Sequence, residues 1–253
     1  MCSEESLMTG HATEGSFSDL CMTHLNKTAV LVEFLKNESK GLALNIGCGA
    51  GLQTKKLADA GFEVISTDIS LDLLKLVDGK AILADASHLP FKESKFDYVV
   101  CMDVLEHLDD DDSCIDNMHY IMKSSGKLLL SIPMLNYPVI YDPINKIRTW
   151  LKMKPLPIGL WAWEHKRLYT EEQILKKLEE RFSIIEKRKM SFFFVALFEN
   201  YLPYLFSYKI KLKSSSKPPI FLKKLAEIVC KVDDKIFLED LGYINLALKA
   251  KPI

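Results

Sequence analysis

Apolar residues follow two rhythms along the chain. Short continuous apolar runs alternate with stretches whose apolar positions recur at helical spacing, the pattern of buried strands joined by amphipathic helices. From Asp19 to Lys36, Leu20, Leu25, Leu31, Phe34 and Leu35 predict one or two helices. Leu42 to Ile46 reads as the first strand, and a helix over Leu52 to Ala60 ends at Gly61. Phe62 to Thr67 is a second strand, and Ser70 caps a helix running to Val77. Asp78-Gly79 turns into a third strand that ends at Asp85. Strand four, Tyr98 to Met102, is apolar throughout, as a strand covered on both faces should be. Asp109 to Asp112 open a helix to Met122 as caps and dipole partners, rather than as ligands of a metal ion. Lys127 to Ile132 is strand five. This alternation predicts right-handed βαβ units in a doubly wound sheet.

The first strand stops abruptly at three glycines in alternate positions, Gly47, Gly49 and Gly51, with the Leu52 helix following at once. Such a turn needs positive φ and close backbone approach, and it directs helix N–H groups into a cleft at the carboxyl end of a sheet. The dinucleotide fingerprint has the spacing G-x-G-x-x-G, whereas here it is G-x-G-x-G.

That shorter spacing resembles motif I of the class I S-adenosylmethionine-dependent methyltransferases, in their small-molecule, type 11-like group. The resemblance extends through Val64–Asp68, through Ala81–Ala86 and through Phe96–Leu108, in order. It implies a Rossmann-like α/β fold with a seven-stranded sheet whose last strand is antiparallel. It also implies S-adenosylmethionine as cofactor and S-adenosylhomocysteine as product. Gly47, Cys48, Gly49 and Gly51 would underlie the methionine part, and Asp68 would hold the ribose with Ile69 beside the adenine. Asp85 and Ala86 would flank the adenine, while Cys101 and Met102 offer backbone groups at the amino end. Asn45 stands where the family usually has an acid, and it keeps an acceptor while losing the charge. His107 and Asp103 are the candidate proton acceptors; His88 and His119 read as surface or packing residues.

Residues 133–169 break the rhythm with five prolines and all three tryptophans of the chain. Six basic residues there oppose Asp142 and Glu164. A connection of this length reads as a lid over a pocket for an apolar or planar acceptor, with Tyr137, Trp163 and His165 as candidate contacts. Each tryptophan taken singly is expected to pack the insertion. Beyond it, Thr170 opens a capping box with Gln173, and Phe182 to Met190 reads as strand six. Residues 191–240 form a second insertion, read as a helical cap that buries its own apolar face, or else as a surface for a dimer partner or membrane. Gly242 to Lys251 is the last strand. The organisation expected is a polar tail over 1–17 and one domain over 18–253.

Composition narrows the function classes. The 253 residues are 48% hydrophobic and 26% charged, enough for a sizeable core. A net charge of -1 exerts no global pull toward nucleic acid. Six scattered cysteines without C-x-x-C pairing argue against a zinc site and suit a reducing, cytoplasmic setting. No signal peptide is evident, and 191–240 is the stretch through which any peripheral membrane contact is expected. The leading expectation is methyl transfer to a small-molecule or lipid-like acceptor. Competing readings are a non-catalytic protein of the same fold, an RNA methyltransferase and an NAD-dependent oxidoreductase. Oligomeric state is left open.

Overall fold

A computed structural model of the chain describes residues 22–157, 160–161, 164–198, 220–236 and 241–253. The expected tail over 1–17, Trp163 and most of the second insertion's linker lie outside these residues. Helix α1 (Met22–Leu35) leads into β1 (Leu42–Ile46), α2 (Leu52–Asp59), β2 (Glu63–Asp68), α3 (Leu71–Leu74) and β3 (Lys80–Leu83). Next come β4 (Phe96–Met102), a 3-10 turn (Leu105–His107), α4 (Asp111–Ile121) and β5 (Met122–Pro133). The chain continues through α5 (Pro143–Trp150), α6 (Glu171–Leu178), β6 (Phe182–Met190), α7 (Ile220–Ile236) and β7 (Asn245–Pro252).

The strands form one seven-stranded sheet in the order β3-β2-β1-β4-β5-β7-β6. β1 is central and parallel to both β2 and β4, so the strand order reverses beside it. Its Ala43 and Leu44 are fully buried and Ile46 nearly so, which is why the run is apolar apart from Asn45. The last strand is antiparallel. Ile253 N–H donates to Arg181 O at one end of β7, and Ile244 N–H donates to Ser191 O just before its other end.

The element boundaries that differ from the sequence reading include those of α3 and β5. α3 stops at Leu74 rather than Val77, although Ser70 does cap it by accepting from Leu73 N–H. β5 begins at Met122, because Phe96 pairs with Met122 across an irregularity that carries the chain through Ser124 to Gly126 in extended form.

The described chain divides into two compact units. One contains 28–132, 166–188 and 246–253, and it holds most of the sheet. Within it Glu38 bridges Lys127 and Lys249, while Lys249 Nζ also donates to Phe34 O at 2.8 Å. A cation thereby closes the carboxyl end of α1 against β7. The other unit contains the described residues of 133–165 and 189–245 together with 22–27. Its core packs Met22, Val195, Ala226, Val229 and Cys230, with Phe192 also buried. Asp233 accepts from Phe192 N–H and Phe194 N–H, tying α7 to the helical turn over 193–198. On α7, Ala226, Val229 and Cys230 are buried, whereas Leu225, Ile228, Val232 and Ile236 are exposed. No helix among the described residues is long and apolar enough to cross a membrane.

Gly47 links this architecture to the site. Its φ is 61°, and a methyl there would lie 2.4 Å from Val104 Cγ2. Gly61 has φ 89° but open surroundings, with its nearest neighbour 3.9 Å away. Gly61→Ala should therefore cost about 1 kcal/mol of strain, and Gly47→Ala about 2–4 kcal/mol because overpacking adds to it. Urea unfolding of the two variants against the parent checks the difference.

Candidate functional site

The register of the sheet assembles the site. Ile46 pairs with Thr67 on β2 and with Cys101 on β4, so Gly47, Asp68 and Met102 leave the sheet at one level. Asp68 in turn pairs with Leu83, which puts Asp85 two residues past that level. The glycine turn then folds over the strand ends. Cys48 N–H donates to Thr67 O at 2.9 Å, and Gly51 N–H closes the turn on Cys48 O at 2.9 Å. Gly47, Gly49 and Gly51 all have positive φ (61°, 53° and 88°), as the alternate spacing requires. Gly51 is the N-cap of α2 and supplies no side chain, leaving the first-turn N–H groups to another acceptor.

Asp68 is brought to this turn. Its Oδ2 accepts from Gly49 N–H at 2.8 Å and its Oδ1 from Ser70 N–H at 2.8 Å. A carboxylate has about four acceptor sites. The carboxyl group is thus oriented by two backbone donors and retains capacity for two more. Ile69 beside it is 77% exposed, free to cover a flat ligand. Asp85 is directed differently: its Oδ1 accepts from Ser87 N–H at 2.8 Å, shaping its own loop, and the residue is exposed. Ala86 is buried beneath it.

Asn45 is 1% exposed, and its Nδ2 donates to Thr54 Oγ1 at 3.0 Å. Thr54 Oγ1 and Ser66 Oγ are 2.8 Å apart. This chain of polar groups knits β1, α2 and β2 beneath the turn, and Asn45 serves it through its amide nitrogen. Burial, with the charge of Asp68 adding to it, pushes the Cys48 thiol up to about 12. Cys48 is therefore a thiol at neutral pH, inert as a nucleophile.

The two candidate proton acceptors follow β4. Asp103 has φ 56°, a strained conformation for a residue with a side chain. It is held there twice by β5, through its N–H to Ser131 O at 2.8 Å and Ser131 Oγ to its Oδ1 at 3.0 Å. His107 lies in the 3-10 turn and is partly exposed. His88 is exposed, and the His119 ring packs edge-on against Phe182 at 5.6 Å.

Of the candidate substrate residues, Tyr137 and His165 belong to the other unit. Tyr137 is buried, with Lys146 Nζ 4.3 Å from its ring centroid. Burial, and secondarily Asp142, hold its phenol well above the usual range. His165 is half-buried. Trp150 departs from the packing role expected of it, being 66% exposed, because it falls on the outer side of α5.

The four aspartates are engaged by cap and cation. Asp110 accepts from Ser113 N–H at 2.9 Å, the cap expected. Asp109 pairs with Lys166 at 2.6 Å and Asp112 with Lys177 at 2.7 Å. Asp111, 4% exposed, takes Arg167 at 2.7 Å, Lys177 at 3.2 Å and the Tyr169 hydroxyl at 2.6 Å. Tyr169 also donates to Leu105 O, and Lys166 N–H to Glu106 O, so the segment braces the turn that carries His107. The sequence reading missed this brace. Its only trace was a basic segment able to complement the acidic run.

These features define a doubly wound α/β protein with a glycine turn at the switch point of its sheet. Residues 44–130 match the family model described as a methyltransferase domain. It is 36% identical over 106 residues to an uncharacterised protein of Methanocaldococcus jannaschii, covering 41% of this chain and 46% of that one. A ubiquinone biosynthesis O-methyltransferase of Idiomarina loihiensis is 27% identical over 150 residues, or 54% and 55% of the two chains. The chain thus spans about half the length of these curated relatives. Among solved structures, phosphoethanolamine N-methyltransferase 2 of Haemonchus contortus, in complex with S-adenosyl-L-methionine, superposes with TM-score 0.61. The identity is 18%, over 90% of this chain and 52% of that one, a likeness of fold.

Asp111 makes the brace sensitive to acid. Burial alone would raise its carboxyl, yet Tyr169, Lys177 and Arg167 outweigh burial and hold it below the ordinary carboxylate range. A depressed folded value means that its stabilisation is complete above the unfolded value, about pH 4, and is lost as pH falls through the folded one. Asp111→Asn should cost about 2–3 kcal/mol at neutral pH and flatten the fall in stability below about pH 4. Urea unfolding at a series of pH values checks both.

Proposed function

We propose that the chain transfers a methyl group from S-adenosylmethionine to a small-molecule or lipid-like acceptor by in-line displacement. The observation that carries this reading is the Asp68 carboxylate, oriented by Gly49 and Ser70 N–H groups at the level where β1 and β4 end. Its two remaining acceptor sites suit the paired hydroxyls of a ribose, and the open glycine backbone suits the methionine part. Ile69 and Ala86 flank the adenine in this reading. Asp85, occupied with its own loop, shapes that wall through the Ser87 turn. Asn45 acts beneath the turn, keeping it rigid through Thr54.

When bound, the cofactor supplies a methyl group on a sulfonium, which is already an activated leaving group. What remains for the protein is to hold the acceptor in line and exclude water, effects worth up to about 7–11 kcal/mol in favourable cases. An acceptor hydroxyl would need its proton removed. Asp103, fixed by Ser131 in a strained conformation, and His107, held in the braced turn, are the groups proposed for this. The name of the Idiomarina relative favours an aromatic, lipid-like acceptor.

Isothermal titration tests the reading. S-adenosylhomocysteine should bind and NAD should not. Asp68→Asn should weaken S-adenosylhomocysteine about 10–100-fold, since a charge-assisted pair of hydrogen bonds loses its charge and one acceptor. Binding of NAD, or of neither ligand, would refute the proposal. A screen of quinone-like phenols with labelled methyl donor then seeks the acceptor.

A further inference from the structure

Helix α5 is amphipathic in the reverse sense. A helix on a protein surface ordinarily turns its apolar side inward. Here the inward positions are polar. Asp142 is buried and caps the helix by accepting from Asn145 N–H at 3.1 Å. Asn145 is fully buried, and Lys146 Nζ donates to Leu135 O at 2.8 Å. The outward positions are Ile144 (52% exposed), Ile147 (50%), Trp150 (66%) and Leu151 (65%). The inward polar groups satisfy one another, so this orientation is specified by hydrogen bonds and leaves the apolar side to solvent.

The chain after α5 is fastened in the same sense. Lys152 N–H donates to Thr149 O and Met153 N–H to Arg148 O, a helix end with Lys152 at φ 56° where glycine is usual. The Arg148 guanidinium donates twice to Lys154 O, at 2.9 and 2.7 Å. Asn145 exchanges hydrogen bonds with the Leu156 backbone at 2.7 and 2.9 Å. Met153 thus stays 47% exposed on a pinned loop. No Asp or Glu occurs from Pro143 to Pro157, whereas Lys146, Arg148, Lys152 and Lys154 do.

We propose that α5 and the turn after it dock the protein on the surface of an anionic lipid bilayer. The aliphatic side chains and Trp150 enter the boundary between headgroups and acyl chains, and Lys152 and Lys154 reach the lipid phosphates. Charge selects this occupant over a second copy of the chain. A two-fold contact through the same face would set Lys152, Lys154 and Arg148 against their equivalents, with no carboxylate in the segment to offset them. The proposal uses no residue of the proposed cofactor turn and does not depend on what that turn binds.

Co-sedimentation of the full chain with vesicles tests this. Vesicles of phosphatidylcholine with about one third phosphatidylglycerol should bind the protein at least tenfold more tightly than phosphatidylcholine alone. Salt at about 0.5 M should weaken that binding strongly. Lys152→Gln with Lys154→Gln should reduce it about thirtyfold, each near-surface charge contributing about fivefold. Trp150→Ser with Leu151→Ser should reduce it more than tenfold by removing the inserted apolar area. These side chains are exposed, and unchanged circular dichroism would confirm that both variants fold. Absence of binding to anionic vesicles, or equal binding by the parent and both variants, overturns the proposal. So does a lipid-free dimer, seen by light scattering, that Trp150→Ser with Leu151→Ser disperses.

Discussion

A single carboxylate joins the two halves of the candidate site. Asp68 ends β2 and accepts the N–H of Gly49, while its other oxygen takes the N–H of Ser70. A backbone that has given up side chains to turn sharply has few means of holding its shape, and a charged acceptor is a strong one. The Asn45–Thr54–Ser66 chain secures the same turn from below. The geometry of the turn is therefore built into the apolar centre of the sheet, where β1 lies between β2 and β4. Gly47 meets Val104 so closely that this packing and the turn depend on one another.

A second constraint operates on the far side of β4. The chain leaves that strand through Asp103 in a strained conformation and enters the turn carrying His107. Neither is held by local structure alone. Ser131 fixes the first from β5, and residues 166–169 fix the second through Glu106 O, Leu105 O and Asp111. Buried carboxylates of this kind are costly unless paired, and Asp111 is paired with two cations and a phenol. Precision at the end of β4 is thus obtained from residues distant in the chain, Ser131 lying 28 positions from Asp103 and Tyr169 lying 64 from Leu105.

Helix α5 follows the opposite logic to the sheet. The sheet buries apolar side chains and presents backbone donors in the turn at the carboxyl end of β1. α5 buries Asn145 and half-buries Lys146, and it presents isoleucine, leucine and tryptophan. Both arrangements satisfy the rule that buried polar groups must be hydrogen-bonded. They differ in what is left for a partner to cover.

Much of the architecture was legible in the chain itself. Apolar runs located the centre of β4 and, apart from Asn45, β1, because strands covered on both faces need apolar residues at nearly every position. The alternate glycines identified the turn, since their φ values are accessible to few other residues, and Asp68 followed at the expected distance. Local chemistry also specified the caps at Ser70, Asp110 and Thr170. Other features were decided only by tertiary structure. β5 starts at Met122 because Phe96 pairs with it; the aspartate run is divided among cap and cations by the segment 166–177. The direction in which α5 faces belongs to the same class. Helical spacing shows that a helix has two sides, but which side is inward depends on the hydrogen bonds awaiting it, and those for Asn145 and Lys146 come from Leu156 and Leu135.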